Sequence, residues 1–170
     1  PRSTPLYSSA ASDVYKRQAL AYLVESTAAL EEAGARGQLA ETRRYLALAY
    51  LATGGLVAAR EAAQSALVQS REVEASLYEA GAQRVLGQIA FAAGEYDEAM
   101  AVLETSRELL NNQESRYELA QTLTCLAEVY LAKGWREEAH TLLVDAVEIF
   151  TELDTSRELA YAAMLMQRVN

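Results

Sequence analysis

Between Ala19 and Met166 apolar residues recur at helical spacing, and the pattern itself repeats every 40 residues. Gly54, Gly94 and Gly134 are each followed five residues later by Ala59, Ala99 or Ala139. Upstream, the stretches YLALAYLAT, VLGQIAFAA and CLAEVYLAK place Leu46, Leu86 and Leu126 in phase, followed by the small residues Ala47, Gly87 and Ala127. Downstream, Ala63, Leu103 and Leu143 align, then Ala66, Ser106 and Ala146. Leu39, Leu119 and Leu159 recur beside Ala40, Ala80, Ala120 and Ala160.

Each unit reads as a helix A, a glycine turn, a helix B and a polar loop. The spacing predicts helices over 38–53, 56–71, 76–93, 96–110, 116–133, 136–151 and 156–168, preceded by a helix B ending near Ala33. Two glycines in AGARG (33–37) favour helix termination there. Ser115-x-x-Glu118 and Thr155-x-x-Glu158 have the form of capping boxes. Where Gly87 stands, a neighbouring helix can approach closely, and the adjacent leucines fill the space beside it. One helix pair cannot bury its apolar stripe alone, so successive pairs must stack.

These columns resemble the tetratricopeptide repeat. Leu86-Gly87, Leu46-Ala47-x-x-Tyr50 and Leu126-Ala127-x-x-Tyr130 match its helix A. Gly94-Glu95-Tyr96-Asp97-Glu98-Ala99 matches its turn, and Ala99-x3-Leu103 and Ala139-x3-Leu143 its helix B, with leucine for the aromatic residue. Arg43, Gln83 and Leu123 replace the family's early tryptophan, and its closing proline is absent. The unit also exceeds the family's ~34 residues, so helices or loops must be longer. A HEAT-like solenoid shares the longer period, but the Gly-x4-Ala turn favours the tetratricopeptide reading. The resemblance implies an all-α, right-handed α-solenoid of stacked antiparallel helix pairs. Its units are a half repeat at 19–36, repeats at 37–75, 76–114 and 115–154, and a half repeat at 155–170. The pattern stops in a helix A before its turn glycine, so a longer array is expected, with self-association through the uncapped ends.

Composition narrows the function. The only prolines, Pro1 and Pro5, lie outside the repeats, which favours uninterrupted helices. A net charge of -9 argues against nucleic acid and anionic membrane partners, which require clustered basic residues. The single cysteine, Cys125, excludes an internal disulfide, and with no apolar run of membrane-spanning length the cytoplasm is the expected location.

Reactive constellations are not evident. His140 opens a helix B without a second histidine or cysteine beside it, and reads as a partly exposed structural residue. Cys125 reads as a buried small side chain, and Trp135 as packing across a turn. Asp97–Glu98 and Glu137–Glu138 suit helix first turns, where acids complement the dipole. ATGGLV lacks the Lys-Ser/Thr of a phosphate loop. No catalytic group, cofactor or metal is expected, and the chain does not read as an enzyme.

What remains is surface. By the resemblance, the inner face of helix A lines a groove for a protein segment or neighbouring domain. Carried onto this sequence, that face holds Glu41, Arg44, Leu48 and Leu51, then Arg84, Gln88 and Phe91, then Gln121, Thr124, Glu128 and Leu131. Arg44 and Arg84, in equivalent positions, could hold an acidic peptide or a terminal carboxylate, or be two solvated arginines. Leu48 stands where chaperone-tail binders place asparagine, and Thr124 interrupts the basic series, so that specific clamp is not reproduced. The expected function is a protein-interaction scaffold. The alternative is a regulatory segment of a larger signalling ATPase, cyclase, kinase or transcription factor.

Residues 1–18 fall outside the repeat. Counting back 40 from Ala59, Ala63 and Ala66 gives Ala19, Leu23 and Ser26, so a helix B is in register from Ala19. The turn position before it holds Val14 instead of glycine. Asp13-Val14-Tyr15-Lys16-Arg17-Gln18 can be encoded by GATGTGTATAAGAGACAG, which looks like the transposase end sequence used in preparing sequencing libraries. A non-native leader over 1–18 is expected, with Ser12 or Asp13 capping any backward extension of the helix.

Overall fold

The computed structural model describes residues 6–111 and 115–169, with side chains from Asp13 onward. Eight helices occur among these residues: α1 (Leu6–Glu32), α2 (Arg36–Ala52), α3 (Leu56–Glu72), α4 (Ser76–Ala92), α5 (Tyr96–Asn111), α6 (Arg116–Lys133), α7 (Arg136–Glu152) and α8 (Ser156–Met166). From α2 onward, each boundary falls within two residues of the position expected from the repeat. The helices alternate in role: α2, α4, α6 and α8 are A helices, and α1, α3, α5 and α7 are B helices.

The chain forms two compact units, Pro1–Glu74 and Ala75–Asn170. In the first, α2 packs against both α1 and α3. The α2–α3 contact is made largely by alanine: Ala40, Ala47, Ala59, Ala63 and Ala66 are all buried. The second unit stacks α4 on α5, α5 on α6, α6 on α7 and α7 on α8, and its A helices also touch one another. Larger side chains fill its core, among them Leu103, Leu126, Leu143, Ile149 and Phe150.

The turns explain the 40-residue unit. Gly54, Gly94 and Gly134 adopt left-handed φ of 83°, 80° and 81°. Gly34, Glu74 and Asp154 make the same step between B and A helices, with φ of 66°, 54° and 52°. A left-handed residue therefore stands at 34, 54, 74, 94, 134 and 154, one every 20 residues, and position 114 lies outside the described residues. After positions 34, 54, 94, 134 and 154 the next residue returns its N–H to the helix just ended, as in Gly55 to Tyr50 O (2.9 Å), Glu95 to Ala90 O (2.9 Å) and Thr155 to Phe150 O (3.1 Å). This is a Schellman closure, which satisfies carbonyls the helix end would leave unpaired. Such closures leave only three residues between α2 and α3 and between α4 and α5, so the residues beyond ~34 lengthen the helices.

Two local expectations are corrected. Ser115 and Thr155 occupy the predicted N-cap positions, but neither side chain caps its helix. With ψ of 73° and 77°, these residues are away from the extended backbone that aims a cap hydroxyl at the first turn. The Thr155 hydroxyl instead donates to Phe150 O at the end of α7 (3.2 Å). Second, α1 runs unbroken through Ala19 to Leu6, so neither Ser12 nor Asp13 caps it. Its segment has no proline or glycine to stop a helix once the register begins.

Candidate functional site

In the second unit α4, α6 and α8 stand side by side, and the side chains predicted for the A-helix face link one helix to the next. Arg84 on α4 is 4% exposed. Its Nη1 lies 2.6 Å from Glu118 Oε2 on α6 and donates to the Glu118 backbone carbonyl at 3.1 Å. Gln88, one turn further along α4, donates through Nε2 to Cys125 Sγ on α6 (3.3 Å). Among the described residues no donor reaches the buried Gln88 Oε1.

The α6–α8 seam is built from tyrosine and glutamate. Gln121 donates to the Tyr117 hydroxyl (2.8 Å), which donates to Glu158 Oε1 on α8 (3.2 Å). Tyr161 of α8 donates to Glu128 of α6. Thr124 is turned onto its own helix, donating to Ala120 O (2.8 Å). Phe91 is half-buried against Tyr96, their ring centroids 5.6 Å apart, and Leu131 is half-buried on α6.

The first unit carries the remaining predicted residues on α2. Arg44 is 6% exposed, with Nη2 3.5 Å from Glu41 Oε1 and its guanidinium 4.4 Å from the Tyr45 ring centroid. Leu48 and Leu51 are half-buried. Neither Arg44 nor Arg84 is a solvated surface arginine. The 40-residue phase places both where a neighbouring aromatic ring or carboxylate covers them. An open polar cleft beside α3 includes Arg43, Glu61 and Glu72, but Arg43 is already held by Gln69 (2.8 Å) and Glu31.

Burial sets the ionisation of this face. The Cys125 thiol is pushed up to about 11 by burial, with Glu128 adding to the rise and Arg84 and Gln88 opposing it. That leaves little thiolate at neutral pH and suits an inert packing residue. Burial also raises the Glu128 carboxyl, against the Tyr161 hydrogen bond and the Arg168 charge. The Tyr161 and Tyr117 hydroxyls are raised by burial first and by their glutamate partners second.

Elsewhere, the expected structural roles fit the geometry. His140, Glu137 and Glu138 are exposed in the first turns of α7. Trp135 packs on Tyr130 (centroids 5.5 Å apart) with Lys133 Nζ 4.9 Å from its ring. Among the described residues, no group of three or more His, Cys, Asp or Glu could hold a metal ion, and no helix is long and apolar enough to cross a membrane.

Sequence reasoning missed Tyr117, Glu118, Glu158 and Tyr161 as members of this face. Glu118 and Glu158 were legible as a pair 40 apart, but their spacing from Ser115 and Thr155 suggested caps. The structure turns Glu118 towards α4 and gives Glu158 the Tyr117 hydroxyl.

No protein-family model matches the chain, and no curated protein matches it in sequence. Solved structures do match in fold. BtubC (BKLC) from P. vanneervenii aligns at a TM-score of 0.71 and 17% identity, covering 91% of this chain and 72% of that one. The apo form of RapI aligns at 0.74 and 18% identity, covering 92% of this chain and 44% of RapI. TPR-like repeats of a putative kinesin light chain from Podosopora anserina align at 0.64 and 21% identity, covering 93% of this chain and 87% of that one. The chain thus has the all-α solenoid fold of TPR-like repeat proteins.

Proposed function

We propose that this chain is a non-enzymatic protein-interaction scaffold whose second unit binds a protein segment along the face shared by α4 and α6. The observation that carries this reading is the Gln88 carboxamide. Its Nε2 is engaged by Cys125, while its buried Oε1 has no donor among the described residues. A buried carbonyl without a donor costs about 1–3 kcal/mol; the Gln88 side chain as a whole is half-buried, and turning its carboxamide outward would let the N–H of a bound peptide offset that cost. Gln121 and the half-buried Phe91 and Leu131 sit on the same two helices, offering polar and apolar contact to an extended segment. The acidic clamp expected for Arg84 is replaced in this reading. With its charge already neutralised by Glu118, Arg84 positions α6 against α4, and peptide amides rather than carboxylates are the groups recognised.

The test is selection from a random-peptide display library on the immobilised full chain, beside a Gln88→Glu/Gln121→Glu double variant. These changes conserve side-chain shape while adding charge to the face. Enrichment of a peptide consensus on the wild type, lost on the variant, is expected. Equal enrichment on both would place binding elsewhere and overturn the reading.

A further inference from the structure

The outward face of α3 carries a short internal repeat. Val57-Ala58-Ala59-Arg60-Glu61 recurs 11 residues later as Val68-Gln69-Ser70-Arg71-Glu72. Eleven residues are about three helical turns, so the two motifs lie on one face. Val57 is 75% exposed and Val68 57%, with Gln64 exposed one turn before Val68. One and two repeats on, the two valine columns hold Asp97 and Glu108, then Glu137 and Glu148, all exposed. Acids in those columns suit a solvated face, and α3 departs from that pattern. The charges beside the valines are sorted. Each glutamate follows its arginine by one residue, about 100° around the helix, so the arginines form one flank of the face and the glutamates the other. The glutamate flank opens into the cleft beside α3, which Gln64 and Val68 also line. Arg43, the cation within that cleft, is spent on Gln69 and Glu31.

We infer that α3 pairs in parallel with α3 of a second copy, about a two-fold axis running between the two helices. Val57 then meets its counterpart, as do Gln64 and Val68, so the exposed valines are covered and the two carboxamides can bond each other. The same symmetry carries the arginine flank of each copy onto the glutamate flank of the other. Arg60 and Arg71 thereby enter the other copy's cleft beside Glu61 and Glu72. Both arginines also interact within their own chain, and a guanidinium has donors enough for both. Charge also sets the direction. An antiparallel pair would lay arginine flank on arginine flank and glutamate on glutamate, which like-charge repulsion opposes. A single helix pair is small beside a standard interface, so the association is reversible and depends on concentration.

Sedimentation velocity of the full chain over a concentration series tests the pairing, and cysteine cross-linking tests its direction. The wild type is expected to pass from monomer to dimer as concentration rises. Val68→Glu, at an exposed position, should leave the circular dichroism unchanged and raise the midpoint of that transition at least tenfold. Val144→Glu, at an exposed valine of α7, should leave the midpoint where it is. Under mild oxidation Val57→Cys and Val68→Cys should each give a disulfide-linked dimer, the buried Cys125 taking no part. A wild type that stays monomeric throughout overturns the inference, as does equal weakening by Val68→Glu and Val144→Glu. Cross-linking only when the two cysteine variants are mixed overturns it too, because only an antiparallel pair sets position 57 against position 68.

Discussion

Gly87 of α4 and Leu103 of α5 approach so closely that a Cβ on Gly87 would stand 2.4 Å from Leu103 Cγ. Leu103 is fully buried, and its Cγ is a branch point, so the side chain cannot turn aside cheaply. Glycine inside a helix normally costs about 0.5–1 kcal/mol relative to alanine, but here the sign reverses. Gly87→Ala is expected to destabilise the protein by about 1–3 kcal/mol through overpacking. In chemical denaturation, Leu103→Ala combined with Gly87→Ala should cost less than the sum of the single changes. Additive losses would show that the two side chains do not meet.

The same reasoning inverts at the turns. Glu74 adopts a left-handed backbone that glycine holds at Gly34 and Gly54. Left-handed φ costs an ordinary residue roughly 1–2 kcal/mol, and part of that gain is returned through the looser unfolded chain. Glu74→Gly should therefore raise stability by about 0.5–1 kcal/mol. Asp154→Gly should gain less, because aspartate tolerates this conformation better. Thermal melts showing a loss at position 74 would contradict the turn geometry.

Buried Arg84 on α4 pairs with half-buried Glu118 on α6. Removing one partner strands the other charge, so Arg84→Ala is expected to cost about 3–5 kcal/mol. Arg84→Met with Glu118→Leu should recover most of that loss, since an apolar pair of similar volume needs no desolvation. If the double variant melts no higher than the single one, the pair is not what joins these helices.

Burial raises the Glu128 carboxyl in the folded protein. The folded state therefore holds this proton more tightly than the unfolded chain, whose glutamate titrates near ~4.3. Its stabilisation is complete below that value and is lost as pH rises through the folded, raised pKa. Glu128→Gln keeps an acceptor for Tyr161 and removes the titration. Unfolding at a series of pH values should show the variant gaining on the wild type as pH rises out of the acid range. A constant difference between the two would contradict a raised carboxyl.

The helices were legible because their signals are local. Gly54, Gly94 and Gly134 mark turns, and alanine and leucine columns mark the packed stripes. The turns at Glu74 and Asp154 were hidden because the closure is imposed by the helices on either side, with no glycine to announce it. Phase grouped Arg84, Gln88, Gln121 and Thr124 on the A helices but could not show the contacts that hold them or join one A helix to the next. Arg84 finds Glu118 34 residues away, and Tyr161 finds Glu128 33 residues away. Neither separation is a repeat length, so each pair exists only once adjacent A helices are laid side by side.

Whether a peptide lies across α4 and α6 of the second unit is read from amide-correlation NMR of the full chain. On titration with a peptide recovered from the display selection, the side-chain amide signals of Gln88 and Gln121 should shift first and furthest, with backbone changes concentrated on α4 and α6. Shifts confined to α5 and α7, with both glutamine side chains unmoved, would contradict the account.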